Sequence, residues 1–91
     1  MNERVQVRVN GTVQGVGFRY FTQHTASALG LKGAVRNTGD GGVEAVAEGP
    51  VGLLHEFVEA LRRGPHSARV NDLTEAWSEA TGEFQAFSVV A

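Results

Sequence analysis

Val5-Gln-Val-Arg-Val-Asn-Gly-Thr-Val-Gln-Gly-Val-Gly-Phe-Arg19 is the stretch whose reading decides the fold. Val5, Val7 and Val9 alternate with Gln6, Arg8 and Asn10, and Val13 keeps the phase. That period of two predicts a strand with one buried face. Past Gly15 and Gly17 the period changes. Phe18, Phe21, Thr25, Ala28 and Leu29 fall on one helical stripe, which predicts a helix from about Arg19 to Leu29. A strand therefore passes into a helix through a loop with three glycines. Glycine allows positive φ and lets a ligand come close to the main chain. The first N–H groups of a helix lack internal partners and carry a partial positive charge. Such a junction suits a phosphate-like anion, and Arg19 adds a planar cationic fork at its end.

Outward from this junction the pattern continues. Gly30 stands where a C-terminal helix glycine belongs. Leu31 to Asn37 reads as a second strand, with Leu31, Gly33, Val35 and Asn37 on one face. Thr38-Gly-Asp-Gly-Gly42 is a strong turn signal, and Val43 to Glu48 alternates as a third strand, paired antiparallel with the second. Gly49-Pro50 opens a second helix, with proline expected at the first helical position. Leu53 or Leu54, Phe57 and Leu61 supply its buried stripe. Glu56, Glu59 and Arg62 face outward. Arg62 and Arg63 suit its C-terminal end, and Gly64-Pro65 stops it. Val70 to Trp77 reads as a fourth strand. Glu79-Ala-Thr-Gly82 reads as a turn, and Phe84, Phe87 and Val89 mark a terminal strand. The order βαββαβ plus one strand predicts an α+β fold, the ferredoxin-like α/β sandwich, with two helices on one face of an antiparallel sheet.

Composition narrows the function. The 91 residues fit one domain spanning 1–91, and 42% are hydrophobic. Cysteine is absent, which removes disulfides, thiolate metal sites and a thiol nucleophile. Met1-Asn-Glu-Arg4 is polar and unlike a signal peptide, and no apolar run approaches a membrane span. The cytoplasm is the expected location. The net charge of −2 argues against a nucleic-acid partner. An RNA-binding sheet would carry exposed aromatics on its central strands; Val5 to Val9 and Leu31 to Val35 carry none.

Chemistry concentrates in the glycine loop and at Asn37. The loop is neither a phosphate-binding Gly-Lys-[Ser/Thr] loop nor a dinucleotide fingerprint, because the required lysine and third glycine are missing. On spacing alone its glycines fit a tight turn without a ligand equally well. Asn37 ends the second strand before a turn. It suits either a turn asparagine bonding its own backbone or a polar group held near the loop, and the distance between the two is left open. His24, His55 and His66 share no metal-ligand spacing. Glu56, Glu59, Glu75, Glu79 and Glu83 read as a solvated surface, and no serine carries a nucleophile motif.

Thr12-Val-Gln-Gly-Val-Gly-Phe-Arg19, then Leu29-Gly-Leu-x-Gly-x-Val-Arg-Asn37, Asp40-Gly, Val43-Glu, Glu48-Gly-Pro50 and Gly64-Pro65, closely resemble the acylphosphatase family over nearly the whole chain. The resemblance implies metal-free hydrolysis of a carboxyl–phosphate anhydride, with no cofactor and no phosphoenzyme. It implies that Arg19 grips the phosphoryl group and that backbone N–H groups of Gln14, Gly15, Val16, Gly17 and Phe18 form the cradle. Asn37 would position the attacking water, with Thr38 supporting it. The partners implied are a small acyl phosphate and inorganic phosphate, and the protein is expected to be a monomer. Two alternatives share the fold: an anion-sensing module without turnover, and a domain of a larger maturation enzyme, against which the length of 91 residues speaks. Val90-Ala91 departs from relatives that end in tyrosine or a charged residue, which leaves the role of those two residues open.

Overall fold

The computed structural model describes residues 2–91; Met1, which opens the polar N-terminal tetrapeptide, lies outside them. The elements are β1 (Asn2–Thr12), α1 (Phe18–Ala28), β2 (Lys32–Asn37), β3 (Val43–Pro50), α2 (Val51–Arg63), β4 (Arg69–Glu79) and β5 (Phe87–Val89). They form one five-stranded sheet in the order β4-β1-β3-β2-β5. The β1–β3, β1–β4 and β2–β3 pairs are antiparallel, as the pattern predicts. The terminal strand corrects the expectation of an all-antiparallel sheet, because β5 runs parallel to β2. The reason is topological. The exit of β4 and the entrance of β2 lie at the same end of the sheet, so a chain that crosses that end must enter β5 in the direction of β2. Phe84, expected in this strand, lies instead in the connector of residues 80–86, 5.6 Å from the Arg4 guanidinium.

The alternating valines behave as their period dictates. Val5, Val7 and Val9 of β1, Val35 of β2 and Val43, Ala45 and Ala47 of β3 are buried on one face. Phe18 and Ala26 of α1 and Leu54, Phe57, Val58 and Leu61 of α2 pack over them in the same core. The α1 stripe is rotated from the expected one. Phe18, Thr22 and Ala26 are its buried line, Phe21, Thr25 and Leu29 flank it, and Ala28 faces solvent. Thr22 can turn inward because its hydroxyl donates to the Phe18 carbonyl at 2.8 Å, which satisfies a polar group that would otherwise be costly to bury. Pro50 lies one position earlier than expected: it is the N-cap in an extended conformation, and the helix begins at Val51. Having no N–H, proline leaves no donor unpaired where β3 gives way to the helix.

The opposite sheet face carries side-chain ion pairs between strands, such as Arg36–Glu44 at 2.8 Å and Arg4–Glu48 at 2.9 Å. Glu48 stands apart because it is only 7% exposed. Its carboxylate accepts from the Arg4 guanidinium, the Thr81 N–H and hydroxyl, and the Gly82 N–H, all at 2.9–3.0 Å. Burial pushes its pKa upward, but the Thr81 and Gly82 N–H groups and then Arg4 outweigh that and hold it near about 2, below the ordinary 4.5. A carboxylate with a depressed folded pKa stabilises the fold above its unfolded pKa and stops doing so as pH falls through the folded value. Glu48→Gln is therefore expected to lower unfolding free energy at neutral pH by on the order of 1–3 kcal/mol. Urea unfolding should show the gap to wild type closing as pH falls from 4.5 toward about 2. A gap that stays constant to the acid limit would contradict this role.

Candidate active site

The site lies at the end of the sheet opposite Glu48, where β1 leaves, β2 ends and β3 begins. The loop of residues 13–17 is pinned at both ends by apolar side chains. Val13 and Phe18 are buried, and Val16 packs half-buried between them. Gly15 and Gly17 lie exposed with φ of 75° and 79°, a left-handed conformation that a side chain would resist. Gly17 is also the N-cap of α1, which has no side-chain cap and no acidic residue in its first turn. The Phe21 N–H bonds back to the Gly17 carbonyl, so the N–H groups of Phe18, Arg19 and Tyr20 lie ahead of the first helical bond. On the outer side, the Ser67 hydroxyl donates to the Val16 carbonyl at 2.9 Å and braces the loop from the connector before β4.

Arg19 sits on the first turn of α1. Its Nη1 donates to the Val90 carbonyl at 3.3 Å, and none of the ion pairs among the described residues involves it. One long bond leaves most of a five-donor fork available. The main chain of Val90 is itself fixed, since its N–H donates to the Val35 carbonyl at 2.9 Å. The chain departure noted at Val90-Ala91 thus meets Arg19 through a backbone carbonyl.

Asn37 closes β2 opposite Val43 and is half-buried. Val13, Gly15, Gly17, Phe18, Arg19, Tyr20 and Asn37 line one depression of about 110 Å³. The asparagine and the loop, whose relation the sequence leaves open, border the same small space. Pockets for whole drug-sized molecules hold about 300–1,000 Å³, so this one suits a small group with the remainder of a ligand outside. Tyr20, 65% exposed, forms its outer rim. Larger depressions along α2 at His55, Glu56, Glu59 and Arg63, and on the sheet face at Gln6, Arg8, Glu44 and Glu75, are each lined by two carboxylates, which would repel a phosphate-like anion.

The β2–β3 turn is internally tied. The Thr38 N–H donates to the Gly42 carbonyl at 2.9 Å, and the Gly42 N–H donates to the Thr38 hydroxyl at 3.0 Å. The Thr38 hydroxyl in turn donates to Asp40, which pairs with Arg8. These bonds lower the Asp40 pKa, the Thr38 hydroxyl most of all. Thr38 is buried and does not line the depression. Two contacts escape the sequence reading, that of Ser67 with Val16 and that of the Gln14 side chain described below; each joins segments far apart in the chain, and no motif announces either. His24, His55 and His66 are exposed, and no cluster of His, Cys, Asp or Glu suited to a metal ion occurs among the described residues.

Fold and site together define a ferredoxin-like α/β sandwich with a small, donor-rich depression where its first strand meets its first helix. Comparison with known proteins agrees. The family model for acylphosphatase matches residues 5–89. An acylphosphatase of Syntrophotalea carbinolica is 52% identical over 94% of this chain and 94% of its own. One of Salinibacter ruber is 46% identical over 96% and 92%. The crystal structure of acylphosphatase from Bacillus subtilis superimposes with a TM-score of 0.94 at 42% identity, covering 98% of this chain and 99% of that one. The chain belongs to the acylphosphatase family and is an acylphosphatase enzyme.

Proposed function

We propose that this acylphosphatase hydrolyses its substrate by attack of water on phosphorus, without a metal, using Arg19, the loop amides and Asn37. The observation that carries the proposal is the common depression lined by Gly15, Gly17, Arg19 and Asn37 at an uncapped helix N-terminus. The phosphoryl group enters it. Backbone N–H groups of Gln14, Gly15, Val16, Gly17 and Phe18 and the Arg19 fork bind its oxygens. Asn37 holds a water opposite the leaving carboxylate, and Thr38 keeps the turn behind Asn37 in place.

The chemistry asks little more. In R–CO–O–PO₃²⁻ + H₂O → R–COO⁻ + H₂PO₄⁻, the bond from phosphorus to the bridging oxygen breaks and a bond to the water oxygen forms. Both water protons end on the phosphate product. A carboxylate is a good leaving group and needs no general acid. Asparagine is no base, so it orients the water while the phosphoryl oxygens take the proton. What remains for the protein is alignment and stabilisation of charge on the equatorial oxygens, which fixed amides and a guanidinium supply. A small acyl phosphate is the substrate class. The same reading takes the enzyme as a cytoplasmic monomer without a nucleic-acid partner. It is supported by the net charge of −2 and by a helix-free sheet face occupied with ion pairs. Among the described residues no helix is long and apolar enough to cross a membrane.

Hydrolysis in ¹⁸O-labelled water tests the proposal. Attack on phosphorus places the label in inorganic phosphate. Label in the carboxylate would mean attack at the acyl carbon and would overturn the assigned role of the cradle.

A further inference from the structure

The loop and Asn37 belong to strands that do not touch. β1 and β2 are separated by β3, so the backbone alone relates them through an intervening strand. One side chain bridges that gap directly. The Gln14 amide uses both of its hydrogens, donating to the Thr38 carbonyl at 2.8 Å and to the Gly42 carbonyl at 2.8 Å. Those carbonyls stand at the two ends of the turn that follows Asn37, and Gly42 also accepts from Thr38 across the turn. Gln14 is half-buried, and its own backbone is part of the loop beside Gly15. An amide whose two donors face two carbonyls has no alternative partner to offer if the turn moves away.

We infer that the Gln14 side chain is a positioning residue that sets the location of Asn37 relative to the phosphate cradle. It touches neither substrate nor water. It fixes the gap between the two halves of the site, and a misplacement of about 1 Å in such a gap can cost about a hundredfold in rate. This inference rests on the proposed roles of the cradle and Asn37. It assigns to the Gln14 side chain a task separate from that of its backbone N–H.

The test uses Gln14→Met, which keeps the stem and length and removes both donors, and Gln14→Ala as a second variant. Each is made in wild type and in Asn37→Ala, with urea unfolding to confirm folding. Turnover of benzoyl phosphate and competitive inhibition by inorganic phosphate are measured. In the wild-type background kcat is expected to fall about tenfold to a hundredfold. The phosphate inhibition constant should stay within about threefold, because the cradle itself is intact, and in the Asn37→Ala background the same change should cost less than about threefold. Equal losses in both backgrounds, an unchanged kcat, or phosphate affinity falling in step with kcat would overturn the inference while leaving the proposed function standing. An unmodified protein that does not turn over benzoyl phosphate would overturn both.

Discussion

Replacing Arg19 with alanine is expected to lower kcat/KM for an acyl phosphate by about 10³-fold or more, which is about 4 kcal/mol of transition-state stabilisation. Loss of one oxyanion donor costs about 10²–10³ in other enzymes, and a guanidinium that meets developing phosphoryl charge is worth about 10³–10⁵. Arg19 is the cation among the residues lining the depression. The effect should divide between kcat and the inhibition constant for inorganic phosphate, because the fork meets both the ground state and the transition state. Arg19→Lys keeps the charge but loses the two-pronged geometry, and should recover only part of the rate. Stability should change little. Arg19 is half-buried, and its one described bond is the 3.3 Å contact with the Val90 carbonyl. A thermal melt that drops far below wild type would show that the side chain holds the C-terminal segment in place instead.

Replacing Asn37 with alanine is expected to lower kcat by about 10²–10³-fold while the phosphate inhibition constant stays within a few-fold. An orienting group acts only when water is aligned for attack, so its loss appears in kcat and not in binding of the product anion. The two variants thus have different signatures, and steady-state kinetics with phosphate as competitive inhibitor separates them. If Asn37→Ala weakened phosphate binding as strongly as Arg19→Ala, the asparagine would be a phosphate ligand and the water would need another holder.

The physical reason so much of this enzyme is legible in its sequence is that its strands have one wet face. Val5, Val7 and Val9, and then Val43, Ala45 and Ala47, alternate strictly because helices cover only one side of the sheet. The junction is legible for the same reason: a change of period between Val13 and Phe18 marks where the strand becomes a helix, and the glycines between them mark where the chain turns. Features set by contacts across the chain are not legible in this way. Glu48 looks like one more polar residue on an alternating strand. Its burial depends on the N–H groups of Thr81 and Gly82, brought to it by the connector between β4 and β5. Gln14 looks like a loop residue contributing backbone, yet its amide reaches the turn at Thr38 and Gly42. The parallel entry of β5 follows from where β4 ends, which no local pattern records. Thr22 does not read as a core position because hydropathy registers its hydroxyl and not the Phe18 carbonyl that satisfies it.

Asn37 illustrates the boundary between the two kinds of information. Its place at the end of β2, in phase with Val35, follows from alternation alone. That it faces the glycine loop follows only from the strand order, which puts the end of β2 and the exit of β1 at the same end of the sheet, on either side of the start of β3. The site is therefore built from one local signal, the loop, and one topological consequence, the asparagine. The ferredoxin-like arrangement makes them neighbours without making their strands neighbours.

Initial rates of benzoyl phosphate hydrolysis in excess EDTA, measured side by side for wild type, Arg19→Ala and Asn37→Ala, test the central claim most directly. The predicted result is undiminished wild-type turnover in the chelator, with both variants folded and both losing about 10²-fold or more. Activity that disappears with the chelator, or variants that keep the wild-type rate, would contradict the assignment of the chemistry to Arg19, Asn37 and the loop between β1 and α1.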